Sequence, residues 1–139
     1  MIGYSERLSD SPALVFCVQA HAELLGKGHT DVPVLAHDDE VIYYEPDSPD
    51  LIDSVLGAIV FFEAEDEKVF WVNLSYTSPL FRSQGIFSRL WGALVELARS
   101  RGIRKIISGS VADNLPMRMA NEKFGRKLKW YLYEYEVER

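Results

Sequence analysis

The chain has 139 residues, 47% hydrophobic and 26% charged, which is the size and balance of one globular domain spanning residues 1–139. Its formal net charge of -6 argues against non-specific nucleic-acid binding and leans toward a cationic acceptor such as an amine. No apolar run approaches the roughly 20 residues that span a bilayer, the N-terminus lacks the basic-then-apolar layout of a secretory signal, and the single Cys17 excludes an internal disulfide, so the expectation is a cytoplasmic protein with no membrane partner.

In chain order, Ile2 to Leu8 reads as a short edge strand. Ser11-Pro12 reads as a helix start, with Ser11 as cap and Pro12 in the first turn. Leu14, Cys17, Val18, His21, Leu24 and Leu25 then line one helical face that Gly26 ends. His21 on that face is read as a partly buried core residue, because no second ligand-type side chain sits one turn away. Gly26 to Glu40 is polar and turn-rich. Its His29, His37, Asp31, Asp38 and Asp39 match no metal-ligand spacing, so this is read as a solvated loop and no metal site is expected.

Val41 to Glu45 reads as a strand, and Pro46 to Asp50 as a turn. Val55 to Ala64 and Val69 to Thr77 are apolar strands joined by the polar turn Glu65 to Lys68, so they are expected to pair antiparallel. Ile86/Phe87, Leu90/Trp91, Leu94/Val95 and Leu97/Ala98 recur every three to four positions, which predicts a helix over 86–101 that Gly102 stops. Ile103 to Val111 reads as a strand parallel to 69–77 through a right-handed crossover. Asn114 caps an expected short helix over 115–123. Lys127 to Val137 alternates cleanly and reads as a single two-sided strand, its Tyr131, Tyr133 and Tyr135 taken as cross-strand packing.

The segment between strand 69–77 and helix 86–101 carries the chemical signal. A strand, a short polar turn with a glycine and a helix start turn free backbone N–H groups toward an anion, and Arg82 adds a fixed positive charge. The functional reading is a phosphate-bearing ligand; the alternative is an ordinary connection whose glycine relieves a tight turn.

Pro79-Leu80-Phe81-Arg82-Ser83-Gln84-Gly85-Ile86-Phe87 resembles the acyl-CoA-binding motif of the GNAT acyltransferase superfamily, with Phe87 where a small residue is usual. That ring either crowds the cofactor or turns into the apolar helix face. A second family motif is matched by Asn114 followed by Asn121-Glu122-Lys123-Phe124-Gly125. The resemblance implies an α/β (α+β) GNAT-like fold: a mixed, mostly antiparallel sheet with a splayed parallel strand pair and flanking helices. It further implies that backbone groups of Ser75, Tyr76 and Thr77 bond the pantetheine arm of acetyl-CoA. The amides of Arg82, Ser83, Gln84, Gly85, Ile86 and Phe87 would hold the pyrophosphate, and Asn114 would contact the arm near the thioester.

Acyl transfer needs a neutral amine, donors for the thioester oxygen and a proton for the leaving thiolate. Three positions that supply acid or base in relatives are vacant: Asn121 stands for a Tyr, Gly109 for a Glu, and Val69 to Thr77 holds no carboxylate. The expected catalytic positions are therefore Asn73, Tyr76 and Asn114, working by positioning and ordered water, with Ser110 beside them. Glu63, Tyr131 and Tyr133 are alternative proton carriers. The resulting expectation is acetyl transfer to an amine-bearing small molecule or protein by direct attack, with a non-catalytic acyl-CoA-binding or interaction module as the alternative. The Tyr-rich last strand also offers an edge on which a second copy would form a homodimer.

Overall fold

Two runs of apolar residues, 57–64 and 69–77, build the centre of the sheet. The computed structural model describes residues 1–30, 32, 34–46, 55–109, 127–129 and 132–138. Its elements are β1 (Ile2–Ser5), α1 (Leu14–Gly26), β2 (Glu40–Tyr44), β3 (Gly57–Ala64), β4 (Val69–Thr77), α2 (Ile86–Ser100), β5 (Lys105–Gly109), β6 (Lys127–Lys129) and β7 (Leu132–Glu136), with single 3-10 turns at Leu8–Asp10 and Pro79–Phe81. The strands form one sheet in the order β1-β2-β3-β4-β5-β7-β6. Every pairing is antiparallel except that of β4 with β5. This is the mixed, mostly antiparallel α/β architecture expected.

The sheet buries both faces. On one, Ile42, Ile59, Phe61, Phe70 and Val72 pack against Ile86, Leu90, Trp91, Leu94, Val95 and Ala98 of α2. On the other, Val41, Ala58, Val60, Leu74 and Tyr76 pack against Cys17 and Ala20 of α1 and against Leu8 and Ala13 before it. Truncating a fully buried leucine such as Leu90 or Leu94 to alanine costs about 2–5 kcal/mol, through lost burial and the cavity left behind.

The even-numbered residues of β4 change face partway along. Phe70 and Val72 belong to the α2 side, Leu74 and Tyr76 to the α1 side. A regular strand keeps i and i+2 on one face, so an extra residue must intervene. The register supplies it: Phe61 opposes Val72 while Val60 opposes Leu74, which leaves Asn73 as a β-bulge.

Four expectations are corrected. Lys127 to Val137 is not one strand: β6 and β7 pair with each other, Lys129 opposite Leu132. Alternating apolar residues read the same through a reversal, and the sequence between Lys129 and Leu132 carries no Gly, Asn or Asp. The helix over α1 begins at Leu14, not at Pro12. Ser11 stands ahead of it, its Oγ accepting from the Ala13 amide at 3.1 Å. Val18 and Leu25 are not on the buried face of α1: they are 52% and 42% exposed, and Ala20 takes the inner place. Asp39 is not solvated but buried, and its carbonyl accepts from the Leu8 amide at 2.7 Å. His21 is a core histidine as read; its Nε2 donates to the Val32 carbonyl at 2.7 Å. The expected helix over 115–123 lies outside the described residues.

Candidate active site

The ladder between β4 and β5 is short. Val69 to Val72 pair with Lys105 to Ser108, and beyond that point Asn73 to Thr77 have no β5 partner among the described residues. The described ladder therefore ends at the bulge. Ser75, Tyr76 and Thr77 still pair with β3 on the other side, opposite Ile59, Ala58 and Gly57. No strand among the described residues pairs with their outer backbone edge. The Thr77 carbonyl on this stretch accepts from Arg82 Nε at 3.0 Å.

Just past the end of β4 the chain makes a cupped turn. Ser83 and Gly85 both adopt left-handed backbone, φ 66° and 80°, and Gly85 is the residue that leads into α2. Alternation of left-handed residues with ordinary ones turns successive N–H groups inward to form an anion nest. The first amides of α2 have no acceptor within the helix and add to it. Among the described residues nothing stands within 4 Å of where a Cβ on Gly85 would lie. Ser83, Gln84 and Gly85 form this turn and Ile86 begins α2. The Arg82 side chain is directed elsewhere: its guanidinium lies 5.4 Å from the centre of the Tyr76 ring. Phe87 turns to the helix's apolar side, stacked on Trp91 with ring centres 6.4 Å apart.

Two polar pairs lie on β4 beyond the last described pair of the β4–β5 ladder. At the bulge, Asn73 Nδ2 donates to Asp39 Oδ2 at 2.9 Å. Burial raises the Asp39 carboxyl above the usual aspartate range, and hydrogen bonds from Asn73 and the Ala36 amide offset part of that rise. Further along, the buried Tyr76 donates its hydroxyl hydrogen bond to Glu23 of α1. Burial and this anionic acceptor raise the Tyr76 phenol, whereas Lys27 and Tyr76 hold Glu23 below the usual carboxylate range.

Asp39 also lines a cleft of about 620 Å³ with Asp38, Glu40, Phe62, Glu63 and Arg101. Arg101 is engaged there, donating to Glu40 Oε1 at 2.6 Å and to Glu63 Oε1 at 3.2 Å. Glu63 is therefore an ion-pair partner. Asn114, Ser110 and Tyr131 lie outside the described residues. Asp39 and Glu23 were missed as site residues. Asp39 sits in a run of loop acids and Glu23 on a helix, and only the tertiary fold brings them to β4, 34 and 53 positions away. Among the described residues no group of three His, Cys, Asp or Glu side chains could hold a metal ion. No helix among them is long and apolar enough to cross a membrane.

The description of the Acetyltransferase (GNAT) family matches residues 13–125. A search of curated proteins finds no match for the chain. Among solved structures, an acetyltransferase of the GNAT family from Staphylococcus aureus Mu50 superposes with a TM-score of 0.72 at 9% identity, covering 99% of this chain and 100% of that one. Nourseothricin acetyltransferase gives a TM-score of 0.64 at 18% identity over 73% of this chain and 66% of that one. N-Acetylglutamate synthase from Neisseria gonorrhoeae, complexed with coenzyme A and N-acetyl-glutamate, gives 0.67 at 13% identity over 100% of this chain and 36% of that one. Identities this low establish likeness of fold, while the family match covers most of the chain. The seven-stranded sheet, its one parallel pair and the turn ahead of α2 agree with it, and the chain belongs to the GNAT acetyltransferase family.

Proposed function

We propose that the protein transfers an acetyl group from acetyl-CoA to an amine by direct attack, both substrates bound together. The observation that carries this reading is the end of the β4–β5 ladder at Val72 and Ser108 among the described residues, next to the Asn73 bulge, with the left-handed turn at Ser83–Gly85 following β4. Family membership supports acyl transfer in general. Coenzyme A bound to a relative of the same fold supports the choice of cofactor.

The residues divide the work. Amides of the nest and of the first turn of α2 take the pyrophosphate. The free edge of Ser75 to Thr77 pairs with the pantetheine amides as an added strand would. The thioester then lies past the end of the described β4–β5 ladder, next to Asn73. A carbonyl oxygen held there gains charge as the amine attacks, and fixed donors in a site screened from water stabilise it. The acids around the neighbouring cleft favour a protonated, cationic acceptor. Position 73 carries Asn where a base is wanted, and that favours a second reading, an acyl-CoA-binding module without catalysis. An amine-transfer assay separates the two.

The testing experiment is thermal denaturation with and without excess acetyl-CoA, for the parent and for Gly85→Glu. A ligand at 100 times its dissociation constant stabilises by about 2.7 kcal/mol, several degrees for a domain of this size. A shift in the parent that is lost in the variant is the expected outcome. No shift in either contradicts acyl-CoA binding.

A further inference from the structure

β4 offers no carboxylate to the acyl site, yet one reaches it from elsewhere. Asp39 is only 4% exposed, and it sits immediately before β2, two strands away from β4. Its Oδ2 accepts from the side chain of Asn73 at 2.9 Å. Asn73 is the bulge residue, and it is the first position of β4 after the parallel ladder ends. The same Asp39 lines the cleft of about 620 Å³. One carboxylate thus touches both the point where the thioester would lie and a space from which an acceptor would arrive.

We propose that Asp39 is the proton acceptor for the attacking amine, held in place by Asn73. This rests on the acyl-transfer reading above. The cationic amine first gives its ammonium proton to solvent; the neutral nitrogen then forms a bond to the thioester carbon and gives its surplus proton to Asp39 Oδ1, while Asn73 keeps Oδ2 occupied. The tetrahedral centre collapses, the C–S bond breaks, and its electron pair leaves on sulfur. Asp39 returns the proton to the thiolate, so amide and free thiol are the products and the carboxylate is regenerated. Burial suits the task, because a carboxyl group shifted upward is a better proton acceptor near neutrality than an exposed one.

The charged and titratable groups facing Asp39 are Asp38 and Glu40 beside it, Glu63 and Glu65 at the end of β3, Tyr4 and Glu6 from β1 and the segment after it, and Arg101 after α2. Arg101 is committed to Glu40 and Glu63. Burial chiefly, with Asp38 and Glu40, raises the Asp39 proton affinity, and the acids of the cleft draw a cationic amine in.

The test uses the full chain as parent, Asp39→Asn, and the swap Asp39→Asn/Asn73→Asp, which moves the carboxylate across the hydrogen bond. Acetyl-CoA binding is measured by calorimetry. Transfer to ethylamine, spermidine and a lysine-containing peptide is followed from pH 5 to 9. Asp39→Asn is expected to bind acetyl-CoA like the parent and to lose about 100-fold in kcat, with the acid limb of the pH profile abolished. The swap is expected to recover activity to within about tenfold of the parent. Should Asp39→Asn fail to fold, Asn73→Ala carries the test, with a lowered kcat and a displaced acid limb at unchanged KM. An Asp39→Asn enzyme with parental kcat and profile overturns the proposal. So does a parent that binds acetyl-CoA but acetylates none of these amines, which leaves cofactor binding standing. A parent that does not bind acetyl-CoA removes the acyl-transfer reading itself.

Discussion

A Cβ placed on Gly57 would lie 2.9 Å from Cγ2 of Ile86 and 3.1 Å from Cδ1 of Leu90. Gly57 opens β3 directly opposite Thr77 at the end of β4, so its bare backbone sets how closely the first turn of α2 docks on the sheet. That turn carries the nest amides. Gly57→Val should therefore push the turn outward. Overpacking of this kind costs about 1–3 kcal/mol, and acetyl-CoA binding should weaken as well. Gly92→Ala, on α2 with nothing near its Cβ position, should leave binding unchanged and raise stability by about 1 kcal/mol. Calorimetric binding and denaturant unfolding of the two variants check the contrast.

The other end of α2 is fixed by charge. Arg101 holds both carboxylate oxygens of Glu40, at 2.6 and 3.0 Å, and bonds Glu63 and the Tyr4 hydroxyl. One guanidinium thus ties the helix end to β1, β2 and β3. Removing it leaves two half-buried carboxylates facing each other. Arg101→Met is expected to cost about 1–3 kcal/mol at pH 7, discounted from the buried-pair range because Arg101 is 30% exposed. The loss should shrink as the pH falls far enough to protonate carboxylates, since the stranded repulsion then disappears. Urea denaturation of parent and variant at pH 7 and pH 4 measures it.

Strands β3 and β4 and helix α2 were legible because apolar residues recur at the right period for long enough to fix type and face. The glycine turn ahead of α2 was legible from its place between a strand and an amphipathic helix, while its use for an anion was one of two readings the sequence left open. Three things were not. The bulge at Asn73 breaks the alternation of β4 without breaking its composition, since Leu74 and Tyr76 are as apolar on the new face as Phe70 and Val72 on the old. The reversal between β6 and β7 lacks turn residues. The inner face of α1 was misjudged because Val15, Val18 and Leu25 are apolar yet exposed, leaving the helix with no clear polar side. Within the site, the Asn73–Asp39 and Tyr76–Glu23 pairs are tertiary contacts, which local spacing does not encode.

Cys17 faces the sheet from α1 with no exposed surface, and burial pushes its thiol up to about 12. The reactive thiolate is thus both scarce and covered at neutral pH. In the native protein Cys17 should label with a thiol reagent far more slowly than a free peptide cysteine, and at full rate in denaturant. Because Cys17 belongs to the α1-side core with Tyr76 and Leu74, its labelling rate reports opening of α1 from the sheet. Acetyl-CoA should slow it further if the ligand stabilises that face. Mass-spectrometric labelling with and without acetyl-CoA gives the comparison, and rapid labelling of the native chain would contradict the packing.

Asp39 makes a prediction about stability that is separate from catalysis. Its folded pKa is raised, chiefly by burial and further by Asp38 and Glu40, against the opposing bonds from Asn73 and Ala36. The native state therefore holds this proton more tightly than the unfolded chain does. The stabilisation it contributes is complete below the ordinary aspartate range and is lost as pH rises through the folded value. Asp39→Asn has no such proton to lose. The Tm of the variant relative to the parent should accordingly rise between pH 4 and pH 7, whatever its offset at either end. Parallel thermal scans across that range measure the difference directly. A constant offset would mean that Asp39 titrates as it does in the unfolded chain, and its burial beside Asn73 would then carry no electrostatic cost.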